Sequence, residues 1–80
     1  MMVDTRLRLH NSGPATLRIL LEPWGDQYTM QPDDLFEVEA KGPAGDRLEV
    51  AVAPGTVTIY GWPGAMVRVL HNGRDLDTSG

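Results

Sequence analysis

Apolar and polar residues alternate one by one along nearly the whole chain. Turn residues break the alternation about every eight to twelve positions, the signature of an all-β sandwich or barrel. Val3, Thr5, Leu7 and Leu9 alternate with Asp4, Arg6, Arg8 and His10, up to the turn Asn11-Ser12-Gly13-Pro14. Leu17, Ile19 and Leu21 alternate with Arg18, Leu20 and Glu22, and a short run follows over 27–31. After Pro32-Asp33-Asp34, Phe36, Val38 and Ala40 alternate with Leu35, Glu37 and Glu39. A loop over 42–46 leads to Leu48, Val50 and Val52, then to Val57 and Ile59, and then to Val67 and Val69. A helix over 31–39 capped by Asp33 or Asp34 is conceivable, but Phe36, Val38 and Ala40 fit a period of two better.

The turns set registers that can be checked. Asn72-Gly73 is a type I′ hairpin signal; as a two-residue turn it sets Val69 opposite Leu76. Pro54-Gly55 as a hairpin sets Val52 opposite Val57 and Val50 opposite Ile59. Side chains alternate strictly along a strand, so a slip of one residue would turn these sets outward. The turn over 31–34 does not fit a simple hairpin: Met30 would face Leu35 and leave Phe36 on the other side. A bulge, or a strand that changes sheets, is expected there. The fold expected is a seven- or eight-stranded antiparallel β-sandwich, immunoglobulin-like or cupredoxin-like. Its expected core is Leu7, Leu9, Leu17, Ile19, Leu21, Phe36, Val38, Leu48, Val50, Val52, Val57, Ile59, Val67 and Val69.

At 80 residues the chain is one domain, 1–80, with 78–80 read as a loose tail. Nine glycines and six prolines are spread through it, so they punctuate structure and do not mark disorder. There is no cysteine, hence no disulfide, no thiolate metal site and no blue-copper site despite the cupredoxin-like pattern. The net charge of −4 argues against nucleic acid, which is held by Lys and Arg on phosphates. The first residues lack a basic segment followed by an apolar one, and no apolar run approaches a membrane span. A cytoplasmic location and no membrane association are expected.

Catalytic and metal chemistry find little support. His10 and His71 stand beside asparagine turns, at the end that strand alternation assigns also to Asp33 and Asp34. Two histidines with carboxylates are metal-ligand types, but they lack zinc-like local spacing and read as solvated turn residues. Ser12 and Ser79 lie outside any nucleophile motif. Asp33-Asp34 lacks the spacing of a calcium loop and reads as a turn in which Pro32 sets φ. Glu37, Glu39 and Glu49 read as a solvated sheet face, with Glu39 opposite Glu49 if Val38 faces Val50. No enzyme, no metal and no cofactor are expected.

The two tryptophans are different. Pro23-Trp24-Gly25 follows one strand and Gly61-Trp62-Pro63-Gly64 another, and neither indole sits in an alternating segment. If strand directions alternate, both loops share one end, and Trp24, Tyr28, Tyr60 and Trp62 form a candidate binding cluster. Such a cluster serves to hold a protein partner, a sugar-like ligand or a proline-rich peptide. The alternative is a lid that closes the open end of a thin core. Leu20, Met66 and Leu70 fall on polar-face positions. Arg6, Arg8 and Arg18 oppose Glu37, Glu39 and Glu49 in charge, so homo-oligomers are also expected.

The stretch Asn11-Ser12-Gly13, Leu21-Glu22-Pro23-Trp24-Gly25-Asp26-Gln27-Tyr28-Thr29-Met30 and Pro32-Asp33-Asp34 resembles a group of small bacterial β-sandwich proteins. These carry an asparagine turn, a strand ending in Glu-Pro-Trp-Gly, a following Tyr and a Pro-Gly turn. Asp33 stands where they often have Gly. The resemblance covers the first half of the chain and implies a fold but no activity and no catalytic residues. With the pattern above, the functional expectation is a non-catalytic protein-interaction or assembly module. The alternative is a small-ligand binder.

Overall fold

The computed structural model describes residues 1–76. It contains eight strands: β1 (Met2–His10), β2 (Leu17–Glu22), β3 (Asp26–Met30), β4 (Leu35–Pro43), β5 (Glu49–Ala53), β6 (Thr56–Tyr60), β7 (Met66–His71) and β8 (Arg74–Asp75). Among the described residues there is no helix, and so none long and apolar enough to cross a membrane. The strands form two four-stranded sheets, β1-β4-β7-β8 and β3-β2-β6-β5. Their facing sides make a β-sandwich core.

The hairpins close as their turns dictate. Asn72 and Gly73 take φ of 54° and 78°, the pair of left-handed residues a type I′ turn requires. Leu76 N–H then donates to the Val69 carbonyl at 2.8 Å. β5 and β6 pair with Val52 on Val57 and Val50 on Ile59. The turn over 31–34 carries the chain from one sheet to the other, so Met30 and Phe36 both point into the core. Asp34 N–H donates to the Gln31 carbonyl, and Gln31 N–H donates to Asp34 Oδ2. With Pro32 second and Asp33 third at φ 69°, this is a type II turn.

Three expectations need correction. The sheets are not wholly antiparallel: β2 and β6 run parallel, with Ile19 on Val57 and Leu21 on Ile59. Val50 and Val52 are in the expected register but outside the core, 38% and 77% exposed. β5 is an edge strand whose every residue is exposed, so its inward-pointing valines extend past the cover of the opposite sheet. Finally, Glu39 is neither solvated nor opposite Glu49, because β4 and β5 lie in different sheets. It sits between Arg6 on β1 and Arg68 on β7 by register. Arg68 Nε donates to Glu39 Oε1 at 3.1 Å, and Arg6 Nη2 lies 3.6 Å from Oε2. These pairings use part of the Arg/Glu complementarity within one chain. Leu20 and Leu70 are half-buried. Residues 78–80, expected as a tail, lie outside the described residues.

The buried core is Ile19, Leu21, Met30, Phe36, Val38, Val57, Ile59 and Val69, with Leu7, Leu9, Leu17, Tyr28, Leu48, Val67 and Leu76 packed at its margin. A smaller cluster of Ala40, Trp62 and Ala65 closes one end. At the other end the buried side chain of Asn11 ties three segments together. Its amide donates to the carbonyls of Ala15 at 2.9 Å and Met30 at 3.2 Å, and its Oδ1 accepts from Gly13 N–H. Among the described residues no buried side-chain N or O lacks a partner.

Phe36 is the largest side chain in the fully buried set. Phe36→Ala is expected to cost about 3–5 kcal/mol in a urea titration. Asp33→Gly should act in the opposite sense. It relieves a left-handed non-glycine residue, worth about 1–2 kcal/mol, against a glycine entropy cost of about 0.5–1 kcal/mol. A small rise in Tm, up to about 4–8 °C, is the expected calorimetric result. A fall in Tm would show that the Asp33 side chain contributes more than its turn conformation costs.

Candidate functional site

The parallel pairing of β2 and β6 brings the two tryptophan loops together. In a parallel pair both strands end at the same edge, and Glu22 and Tyr60 are the last partners in register. The loops therefore leave the sheet side by side. Gly61 N–H continues the ladder by donating to the Glu22 carbonyl at 2.9 Å. Gly25 N–H folds the first loop back onto the Leu21 carbonyl at 2.9 Å. The indole of Trp24 comes to rest over Gly61, where a Cβ would fall 2.5 Å from its Cη2 atom. Only a residue without a side chain can seat the ring this closely.

The second indole points the other way. Trp62 is 5% exposed and packs with Ala40 and Ala65. Its Nε1–H donates to the Pro43 carbonyl at 2.8 Å, so the buried polar tip is satisfied. A Cβ on Gly42 would meet Ala65 Cα at 2.8 Å and Trp62 Cε2 at 3.0 Å, which makes β4 a flat seat for the ring. Ala65 N–H donates to the Trp62 carbonyl, and Gly64 has φ 83°. Pro63 and Gly64 thus form the type II turn that folds the indole inward.

The two readings of the tryptophan pair therefore divide between them. Trp62 is the lid. Trp24, 45% exposed, and Tyr60, 41% exposed, line an open cleft with Glu22, Pro23 and Pro63, and the buried Trp62 also borders it. A second hollow on the other side of Trp24 is lined by Asp26, Ala65, Met66 and Val67. Met66 is 78% exposed there. Trp24 stands as a ridge between the two hollows, and Tyr60 and Met66 flank it. Met66 stood out in the sequence only as an apolar residue on a polar face.

Tyr28 does not join this cluster. β3 begins at Asp26, which makes Tyr28 an inward position opposite Ile19, half-buried against the main core. Its nearness to Trp24 in the chain is undone by the strand's alternation.

The histidine end holds separate pairs. His10 Nε2 lies 3.9 Å from Asp33 Oδ1, and His71 Nε2 lies 3.5 Å from Asp34 Oδ1. The His71 ring also tilts against Phe36 at 5.1 Å between centroids. Among the described residues no three histidine or carboxylate side chains converge to hold a metal. Ser12 is exposed in its turn, and Ser79 lies outside the described residues.

No protein-family model, curated protein or solved structure matches the chain.

The two indoles should respond differently to substitution. Trp62→Phe strands the Pro43 carbonyl and is expected to cost about 1–3 kcal/mol, a fall in Tm of several degrees. Gly61→Ala should instead displace the Trp24 ring while leaving the sheets intact. The expected readout is a changed near-UV circular dichroism and tryptophan emission with an unchanged far-UV spectrum. Loss of the far-UV spectrum would show that Gly61 is needed by the backbone and not by the ring.

Proposed function

We propose that the protein is a non-catalytic interaction module that docks a protein partner on the Trp24 ridge. The observation that carries this reading is the joint exposure of Trp24, Tyr60 and Met66 at one end of the sandwich. Aromatic residues and methionine are enriched in interface cores, and a few such anchors supply most of the binding energy. Among the described residues, the cleft offers flat rings, backbone and a single carboxylate, Glu22, with no serine, cysteine or histidine in its lining. The reading includes a cytoplasmic setting, consistent with the absence of cysteine.

A second reading draws on the proximity of Glu22 to the Trp24 and Tyr60 rings. An aromatic face beside a hydrogen-bonding carboxylate also suits a sugar-like ligand, and Pro23 and Pro63 widen the flat floor for a proline-rich peptide.

Trp24→Ala separates these readings from a structural role. Because the ring is half-exposed and seated on backbone, the variant should fold. In affinity purification from the native host it should lose the partner that the unaltered chain retains. Against that partner once purified, the expected loss is about 1–3 kcal/mol of binding free energy by calorimetry. Retention of the partner at full affinity would remove the ridge from the interface. Saturable quenching of Trp24 by oligosaccharides, with no protein retained, would favour the small-ligand reading.

A further inference from the structure

We infer that two copies of this chain join through β5, antiparallel about Ala51, into one continuous sheet. Sheet edges in monomeric proteins are blunted by charge, proline, shortness or cover, because an open edge is a template for pairing. Among the described residues, three of the four edges are protected. β1 carries Asp4, Arg6, Arg8 and His10 along its length. Among the described residues β8 has two, Arg74 and Asp75, both charged. β3 has its inner positions covered, and its last carbonyl, at Met30, is taken by the Asn11 amide. β5 carries its one charge at its first residue, Glu49, has none of these over Val50-Ala51-Val52-Ala53, and leaves Val52 77% and Val50 38% exposed on the side that faces the core elsewhere.

The backbone geometry selects one pairing. The two-residue turn Pro54-Gly55 closes on Ala53 and Thr56, which are therefore hydrogen-bonded to each other. Bonded and non-bonded positions alternate, so Ala53, Ala51 and Glu49 bond to β6. Val50 and Val52 aim their N–H and C=O groups at the free edge. A two-fold axis through Ala51 sets Val50 of one copy opposite Val52 of the second, and the converse. Each such pair exchanges N–H···O=C bonds, and all the valines involved fall on one face, where they cover one another. Ala51 meets Ala51 at a non-bonded position, where side chains are small enough for close approach.

Charge favours the same arrangement. On the outer face the acidic row Glu22, Tyr60, Glu49 runs across the sheet, and the row Arg18, Thr56, Ala53 runs parallel to it. Antiparallel pairing about Ala51 continues the acidic row of one copy into the row of the second that ends in Arg18. Glu49 then meets Ala53, not another Glu49. The interface is isologous and closed, as two-fold assemblies require. It leaves the Trp24 ridge free, so it is independent of the partner surface proposed above.

Single substitutions test this. Val52 is exposed, so Val52→Lys should keep the fold, checked by far-UV circular dichroism. Sedimentation across the micromolar range should show a dimer for the unaltered chain and a dissociation constant raised about tenfold or more for Val52→Lys. Ala51→Cys places two thiols across a non-bonded pair, at a Cα separation of about 4.5 Å, within disulfide range. In this cysteine-free chain it should form a covalent dimer on mild oxidation, whereas Ala53→Cys should not. A monomer at every concentration would overturn the proposal. So would equal cross-linking at both positions, or a dimer that Val52→Lys leaves intact. A dimer lost in Trp24→Ala but kept in Val52→Lys would assign self-association to the ridge instead.

Discussion

One backbone pairing, the parallel register of β2 on β6, is the constraint on which the rest depends. Antiparallel neighbours leave a sheet at opposite ends, and parallel neighbours leave it together. Because Glu22 and Tyr60 end the pair side by side, two loops far apart in the chain become one surface. Gly61 extends the ladder by one hydrogen bond and so holds the second loop's first residue level with the sheet. Everything at that end follows: one indole lies across Gly61, the other folds beneath to close the core, and Tyr60 faces outward between two carboxylates on neighbouring strands.

The two ends of the sandwich are closed by different chemistry. At the tryptophan end a large ring on a glycine seat supplies apolar cover, with its one polar atom bonded to a carbonyl. At the histidine end a single buried amide, Asn11, bonds backbone from its own turn and from the end of β3. The first arrangement leaves room beside it for exposed side chains to collect. The second uses its polar groups on the chain itself, and the histidine–aspartate contacts around it stay as separate pairs.

Much of this was legible in the alternation of residues. Period-two runs and turn chemistry sufficed for the strands and for the hairpin registers of Val52 with Val57 and Val69 with Leu76; they left a bulge or a sheet change open after Met30, and put the tryptophans at one end on the condition that strand directions alternate. What was not legible is set by strand order. Alternation says that Val50 and Val52 point the same way as Val57, but not that β5 lies at an edge with nothing opposite. It says that Glu39 points outward, but not that arginines flank it on both sides. It counts strand directions without saying that β2 and β6 are neighbours. At the site, Trp24 and Tyr60 were recognisable as aromatic residues at strand ends. Tyr28 is close to Trp24 in sequence but sits on an inward strand position opposite Ile19, and Met66 carries no signal beyond an apolar residue out of phase.

The glycine seats bear on how this surface can change over time. Trp24 with Gly61, and Trp62 with Gly42, are pairs in which a large ring and a missing side chain fit one another. A side chain gained at Gly61 unseats Trp24, and loss of Trp24 removes the two nearest obstacles to a side chain there, whereas Gly42 stays closed by Ala65 whether or not Trp62 is present. Trp24 and Gly61 are thus inherited as one character. In a set of homologous sequences they should appear or vanish together, while the neighbouring turn positions drift independently.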